Sequence, residues 1–180
     1  VFYENSGGGI TLSGGEPTFH MDYLHELLIQ LKREKIHVCL ETCGYYNANK
    51  FRKLILPFVD LIYFDLKVFD SGDHERFCKV PNELILKNFK SVVDEGTTEL
   101  MPRIPLIPDI TDTDENLENW AKFLGRLGIK QLALLPYNPL WVSKIESLGK
   151  ELEYDRKEWM DSQDKERIEK IFREFTFRDF

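Results

Sequence analysis

Short apolar runs alternate with amphipathic stretches as far as Tyr137, the pattern of parallel strands joined by crossover helices. Five runs predict strands, over residues 9–13, 37–42, 61–67, 99–105 and 131–136. Their interiors are rich in Val, Ile and Leu, as strands covered by helices require. Between the first two, Leu24, Leu27, Leu28 and Leu31 recur at helical spacing and form one apolar stripe. Asn47 is a good N-cap for a helix that buries Phe51, Leu54 and Ile55 before Pro57 stops it. A third helix starts near Asn82 and carries Ile85, Phe89, Val92 and Val93. A fourth, capped by Thr113 or Asp114, shows Leu117, Trp120, Leu124 and Leu127 and ends at Gly128. After Tyr137 the alternation stops, leaving a weakly periodic segment over 138–161 and a predicted helix over 162–174. The expected class is therefore α/β, a single domain over 1–180 with a βα core at 1–137 and a C-terminal cover at 138–180. A long excursion at the end of a barrel is also a place to grip a partner.

A chain of 180 residues closes one sizeable core. Its 31 acidic residues exceed its 24 basic ones, so it presents no basic field for nucleic acid. No apolar run reaches the roughly 18 residues a membrane span needs. Cys39, Cys43 and Cys78 are too few and too irregular for a disulfide framework, and a reducing cytoplasm fits them best.

The polar residues that interrupt the apolar runs fall at the C-terminal ends of the strands, where a parallel barrel gathers its active site. Glu16 follows the first strand, Glu41 and Thr42 close the second, and Asp65 and Lys67 close the third. Arg103 lies late in the fourth, and Tyr137 and Asn138 follow the fifth. Gly14 and Gly15 let backbone carbonyls approach a ligand that a Cβ would repel. Glu16 either completes such a site or braces its loop, and the loop lacks the Lys-Ser/Thr of a phosphate-binding P-loop. Asp65 and Lys67, two apart on an extended strand, point to one face, either as a functional pair or as a structural ion pair. Arg103 is a planar donor suited to a carboxylate. A desolvated Lys67 at a strand end could also serve as the Schiff-base lysine of an aldolase-like enzyme. Cys39 and Cys43 have an x3 spacing, but Tyr46 stands where a third cysteine would fall, so they read as inert strand residues rather than cluster ligands. His20, His25, His37 and His74 show no metal-binding pattern and read as structural.

Five motifs in order carry a family resemblance. They are Gly-Gly-Gly-Ile-Thr-Leu-Ser-Gly-Gly-Glu-Pro at 7–17, Glu-Thr-Cys-Gly at 41–44, Asp-Leu-Lys at 65–67, Arg-Ile-Pro-Leu-Ile-Pro at 103–108 and Leu-Leu-Pro-Tyr at 134–137. Over almost its whole length the chain resembles the radical S-adenosylmethionine (SAM) enzymes that activate glycyl radical enzymes, the pyruvate formate-lyase activating enzyme family. The resemblance implies a partial, TIM-type barrel of parallel βα units, the radical SAM fold without its first unit. It implies SAM binding by Ser13, Gly14, Gly15, Glu16, Glu41, Thr42, Asp65, Lys67, Arg103, Pro105, Leu135 and Asn138, with Asp65, Lys67 and Arg103 catalytic. Pro105 and Leu135 would flank the adenine, and Asp-Leu-Lys is similar to a switch that engages SAM when the partner docks. Glu41, Thr42, the Tyr63 carbonyl and Asp65 resemble the family's monovalent-cation site, although Glu41 stands where the pyruvate formate-lyase activator has Asp. Many members carry His where this chain has Asn138, an amide that hydrogen-bonds but does not titrate.

The implied activity is reductive cleavage of SAM and removal of hydrogen from a glycine Cα of a partner glycyl radical enzyme. An electron donor such as flavodoxin or ferredoxin would serve a 4Fe-4S cluster. The Cys-x3-Cys-x2-Cys loop that holds that cluster has no counterpart here, and the sequence opens at Val1 almost inside the first motif. It therefore reads as the C-terminal portion of an activating enzyme, inactive by itself, with no nucleic acid or membrane as partner. A non-catalytic binding module of the same fold is the other alternative, beside the Lys67 aldolase.

Overall fold

The computed structural model describes residues 8–141, 149, 154–178 and 180. Its centre is one six-stranded parallel sheet with strands in chain order: β1 (Gly9–Leu12), β2 (His37–Thr42), β3 (Leu61–Asp65), β4 (Glu99–Leu106), β5 (Gln131–Pro136) and β6 (Thr176–Phe177). β1 and β6 do not pair with each other, so the sheet stays open, as a partial TIM-type barrel does. The described helices are α1 (Met21–Arg33), α2 (Ala48–Leu54), α3 (Ser71–Cys78), α4 (Glu83–Glu95), α5 (Asp114–Arg126) and α6 (Ser162–Ile171).

Successive strand residues point to opposite faces, and the two faces differ. On the outer face Val38, Leu40, Ile62, Phe64, Ile104, Leu106, Leu132 and Leu134 are buried against Leu28, Phe51, Phe89, Trp120 and Phe172. On the inner face Cys39, Leu61, Met101 and Ala133 form a second, smaller cluster with Tyr63 packed on it. Glu41, Asp65 and Arg103 belong to this inner face by alternation and by register, Glu41 opposite Tyr63 and Asp65 opposite Arg103.

The helices start where capping chemistry places them. Asn47 accepts from Lys50 N, and Thr113 accepts from Asn116 N. Two elements depart from the expected pattern. α3 is short and mostly polar, with only His74 buried, so it offers no apolar stripe, although Asp70 caps its N-terminus by accepting from Asp73 N. The βα rhythm also resumes after Tyr137: α6 docks on α5, and β6 adds a parallel strand to β5 through Thr176 N to Lys130 O and Arg178 N to Leu132 O. Arg167 fixes that docking, donating to the Asp112 carbonyl and pairing with Asp112, Asp114 and Asp164. Gly7 of the first motif and part of the segment 138–161 lie outside the described residues.

Side-chain amides hold the loops at the C-terminal ends of the strands. Asn88 of α4, fully buried, donates to Gly44 O and Tyr46 O, each at 2.8 Å. Asn82 donates to Val68 O and Phe69 O. Asn116 accepts from Phe69 N and donates to Lys67 O and Thr111 O, while the Trp120 indole also donates to Lys67 O. The segment after β3 is thus fixed from two helices.

Asn88→Leu leaves two buried carbonyls unpaired and should lower the unfolding free energy by about 2–4 kcal/mol, measured by urea titration. Gly44 has φ +79° and the Phe64 ring lies 2.1 Å from where a Cβ would sit. Gly44→Ala therefore combines backbone strain with a clash against a buried ring and should destabilise by at least about 2 kcal/mol. A wild-type urea midpoint in either variant would show that the loop after β2 is not held as described.

Candidate functional site at the strand ends

The loop after β1 is tied to β2 by two carboxylates. Glu16 Oε1 accepts from Thr18 N, from the Thr18 hydroxyl at 2.7 Å and from the Thr42 hydroxyl at 2.9 Å. Its Oε2 accepts from Cys43 N at 2.7 Å. Both oxygens of Glu16 are thus taken by protein donors, and the side chain braces the loop. Between Ser13 and Glu16, Gly14 has φ +130°, a conformation side chains rarely adopt, and a Cβ on either Gly14 or Gly15 would meet no atom within 4 Å. The glycines leave open space in front of the loop, the kind of cradle a ligand's polar end can enter.

The second carboxylate, Glu41, joins a charged chain across the inner face. Ser13 donates to Glu41 Oε2 at 2.6 Å, Arg103 Nη1 donates to Glu41 Oε1 at 2.7 Å, and Arg103 Nε donates to Asp65 Oδ1 at 2.7 Å. Arg103 is the most shielded of the three, its side chain 15% exposed against 24% for Glu41 and 26% for Asp65. The Tyr63 ring lies beneath its guanidinium at 5.0 Å. Hydrogen bonding from Arg103 holds the Glu41 carboxyl below the usual range against the effect of burial, with help from Ser13. Burial works against the Arg103 cation, but Asp65 and Glu41 outweigh it and keep the guanidinium charged.

Not every expected site residue joins this chain. Thr42 is buried and faces the other side of β2, where its hydroxyl donates to Glu16 and accepts from Gly44 N. β3 ends at Asp65, and Lys67 lies beyond it. Asp65 and Lys67 do not pair, because Asp65 is bound to Arg103; among the described residues the Lys67 ammonium has no ion-pair partner. Its charge instead favours the thiolates of Cys43 and Cys78. Burial still dominates both, and with Glu16 beside it the Cys43 thiol is pushed up to about 11. All three cysteines are free, and among the described residues no group of three or more His, Cys, Asp or Glu side chains is placed to hold a metal ion. His25 and His74 bind backbone carbonyls of Leu54 and Val80, as structural histidines do.

Pro105, Leu135 and Asn138 do come together. Pro105 and Leu135 are register partners on β4 and β5, and with Tyr137, Trp141 and Tyr154 they line an apolar cavity of about 380 Å³. That volume and lining suit a flat heterocycle with one polar neighbour. The Tyr137 hydroxyl accepts from the Trp141 indole and donates to Arg156 O, which fixes the wall of the cavity. Sequence reasoning missed the positioning residues Asn82, Asn88, Asn116 and Trp120. For Asn88 there was a signal, an amide set inside the apolar stripe of Ile85, Phe89 and Val92.

Residues 2–124 match the Radical SAM superfamily. The chain is 35% identical over 180 residues to the trans-4-hydroxy-L-proline dehydratase activating enzyme of Clostridioides difficile, covering 98% of this chain and 59% of that protein. It is 36% identical over 149 residues to the indoleacetate decarboxylase activating enzyme of Tractidigestivibacter scatoligenes, covering 83% of this chain and 47% of that one. It thus spans about half the length of the curated relatives it matches. Among solved structures, a domain of pyruvate-formate lyase-activating enzyme from Bacteroides vulgatus ATCC 8482 superposes with a TM-score of 0.76 at 27% identity, over 96% of this chain and 99% of that chain. Neither the Schiff-base reading of Lys67 nor a bare binding module is favoured by these relatives. The chain belongs to the radical SAM superfamily, which uses SAM and a 4Fe-4S cluster.

Proposed function

We propose that this chain forms the SAM-binding part of an activating enzyme for a glycyl radical enzyme. The observation that carries the reading is the hydrogen-bonded chain Ser13–Glu41–Arg103–Asp65, which joins four strand ends beside the apolar cavity of Pro105, Leu135 and Asn138. The names of the relatives support it, each being an activating enzyme. With its cluster, SAM supplies the radical chemistry by which a hydrogen leaves a glycine Cα of the partner.

The residues of this chain bind and orient. Carbonyls of the Ser13–Gly14–Gly15 loop accept from the methionyl ammonium, and Glu16 and Thr42 hold that loop at its distance. Arg103 spends Nε and Nη1 on Asp65 and Glu41, and its remaining donors meet the methionyl carboxylate. Pro105 and Leu135 flank the adenine and Asn138 hydrogen-bonds it. Lys67, which has no ion-pair partner among the described residues, is the cation of the Asp-Leu-Lys switch and would reach the ligand when the partner docks. The cluster is held by cysteines other than Cys39, Cys43 and Cys78, and the electron comes from a flavodoxin or ferredoxin in the cytoplasm.

In an activating enzyme carrying this chain, Asp65→Asn and Arg103→Gln should each weaken SAM binding by at least about tenfold, or about 1.4 kcal/mol, by titration calorimetry. The glycyl radical signal in electron paramagnetic resonance should fall with it. Wild-type affinity and radical yield in both variants would place the SAM site elsewhere. The 180-residue chain alone, incubated anaerobically with iron and sulfide, should take up no stoichiometric cluster. Cys43, whose thiol burial and Glu16 push up to about 11, should resist iodoacetamide at pH 8 until the chain is unfolded. Thiolate-to-iron absorbance at full stoichiometry would overturn that assignment of the cysteines.

A further inference from the structure

The resemblance implies a monovalent cation held by Glu41, Thr42, the Tyr63 carbonyl and Asp65, and the side chains of this chain do not fit one. A hard cation needs several oxygen donors with free lone pairs around one open point. Here the donors are committed in other directions. Glu41 uses Oε1 for Arg103 and Oε2 for Ser13, and Asp65 uses Oδ1 for Arg103. The Thr42 hydroxyl is buried on the outer side of β2, occupied with Glu16 and Gly44. Tyr63 lies inside β3 between Glu41 of β2 and Met101 of β4, where its carbonyl serves the ladder.

At the point where the two carboxylates converge there is already a positive charge. The planar fork of Arg103 reaches both at 2.7 Å and is only 15% exposed. A second cation beside it would meet like-charge repulsion, and of the four carboxylate oxygens all but Asp65 Oδ2 already accept from Arg103 or Ser13, too few free donors for a cation's shell. Glu41 makes this possible. Its side chain is one methylene longer than the Asp of the pyruvate formate-lyase activator, and it meets the Arg103 fork while Ser13 holds its other oxygen.

We infer that Arg103 takes the place of the monovalent cation in this chain: its guanidinium bridges Glu41 and Asp65, and the site binds no potassium or sodium. The inference deepens the SAM-site reading and rests on it for its importance, but the test needs no SAM. Thermal unfolding of the chain is followed in potassium, sodium and choline chloride at one ionic strength, choline being too large to enter the site. Wild type should unfold within about 1 °C of one midpoint in all three salts. Arg103→Gln leaves Glu41 and Asp65 facing each other without a counter-charge. It should unfold roughly 3–5 °C higher in potassium or sodium than in choline, as a ligand of the folded state raises its midpoint. A potassium- or sodium-specific rise in wild type overturns the inference. So does a folded Arg103→Gln chain that ignores the cation, since there is then no cation position for Arg103 to fill. Where that variant does not fold in any salt, the wild-type series decides. SAM titration of an activating enzyme carrying this chain, in the same salts, separates the two readings: a cation-independent chain in an enzyme that binds no SAM defeats the functional reading and leaves the role of Arg103 intact.

Discussion

Parallel strands cannot bury both of their faces in the same way when one faces helices and the other faces a narrow interior. The outer face is filled by large apolar side chains from the helices, down to full burial of Leu40, Phe64, Ile104 and Leu134. Among the described residues the inner face has no such partner layer. Its lower part is closed by Cys39, Leu61, Met101 and Ala133, and above them come three charged groups in contact. Their arrangement follows from the ladder. Asp65 and Arg103 are register partners, and the one guanidinium on β4 reaches carboxylates on β3 beside it and on β2 beyond. Shielded charges of this kind contribute little net stability, because desolvation offsets their attraction, but the loss of one partner leaves the other uncompensated. The trio fixes geometry more than it holds the fold.

Precision at this end of the sheet depends on amides and an indole that never face a ligand. The chain between Asp65 and Phe69 leaves β3 without further ladder partners beyond Leu66 N to Arg103 O, and its carbonyls would be unsatisfied without Asn82, Asn116 and Trp120. These side chains project from the cap of α4 and from α5, so the helices that seal the outer face also set the backbone that presents Lys67. Such second-layer support keeps a binding site within a fraction of an ångström of its working shape. The same logic applies to Asn88, which reaches from α4 to the loop after β2.

Much of this was legible in the sequence, for physical reasons that also mark where legibility ended. Long apolar runs bounded by polar strand ends gave β2 and β5 to the residue, and Asn47 and Thr113 announced the helices they cap. α3 escaped because its stability comes from the Asp70 cap and one buried histidine rather than from a stripe. β6 escaped because two residues carry no period; Thr176 and Phe177 form a strand only because the exposed edge of β5 offers partners. The site was visible as a set of residue types at strand ends, but not its wiring. Asp65 and Lys67 sit two apart in the sequence and suggest a pair, whereas the nearest cation to Asp65 comes from a register neighbour 38 residues away. Local spacing cannot reveal a contact that only the ladder creates.

The wiring also explains how a loop with two unconstrained glycines holds a shape. Glu41 and Thr42 are consecutive on β2 and therefore point to opposite faces. Glu41, on the inner side, takes the hydroxyl of Ser13; Thr42, on the outer side, donates to Glu16, whose other oxygen takes Cys43 N. The loop Ser13–Gly14–Gly15–Glu16 is thus clamped at both ends across the tip of one strand, and the glycines between the clamps make no side-chain contacts that could define them. The pleat of β2 sets the path of the loop. Glycine at 14 is then required by a backbone angle imposed from outside, and the space in front of both glycines is what the clamped loop leaves for a ligand.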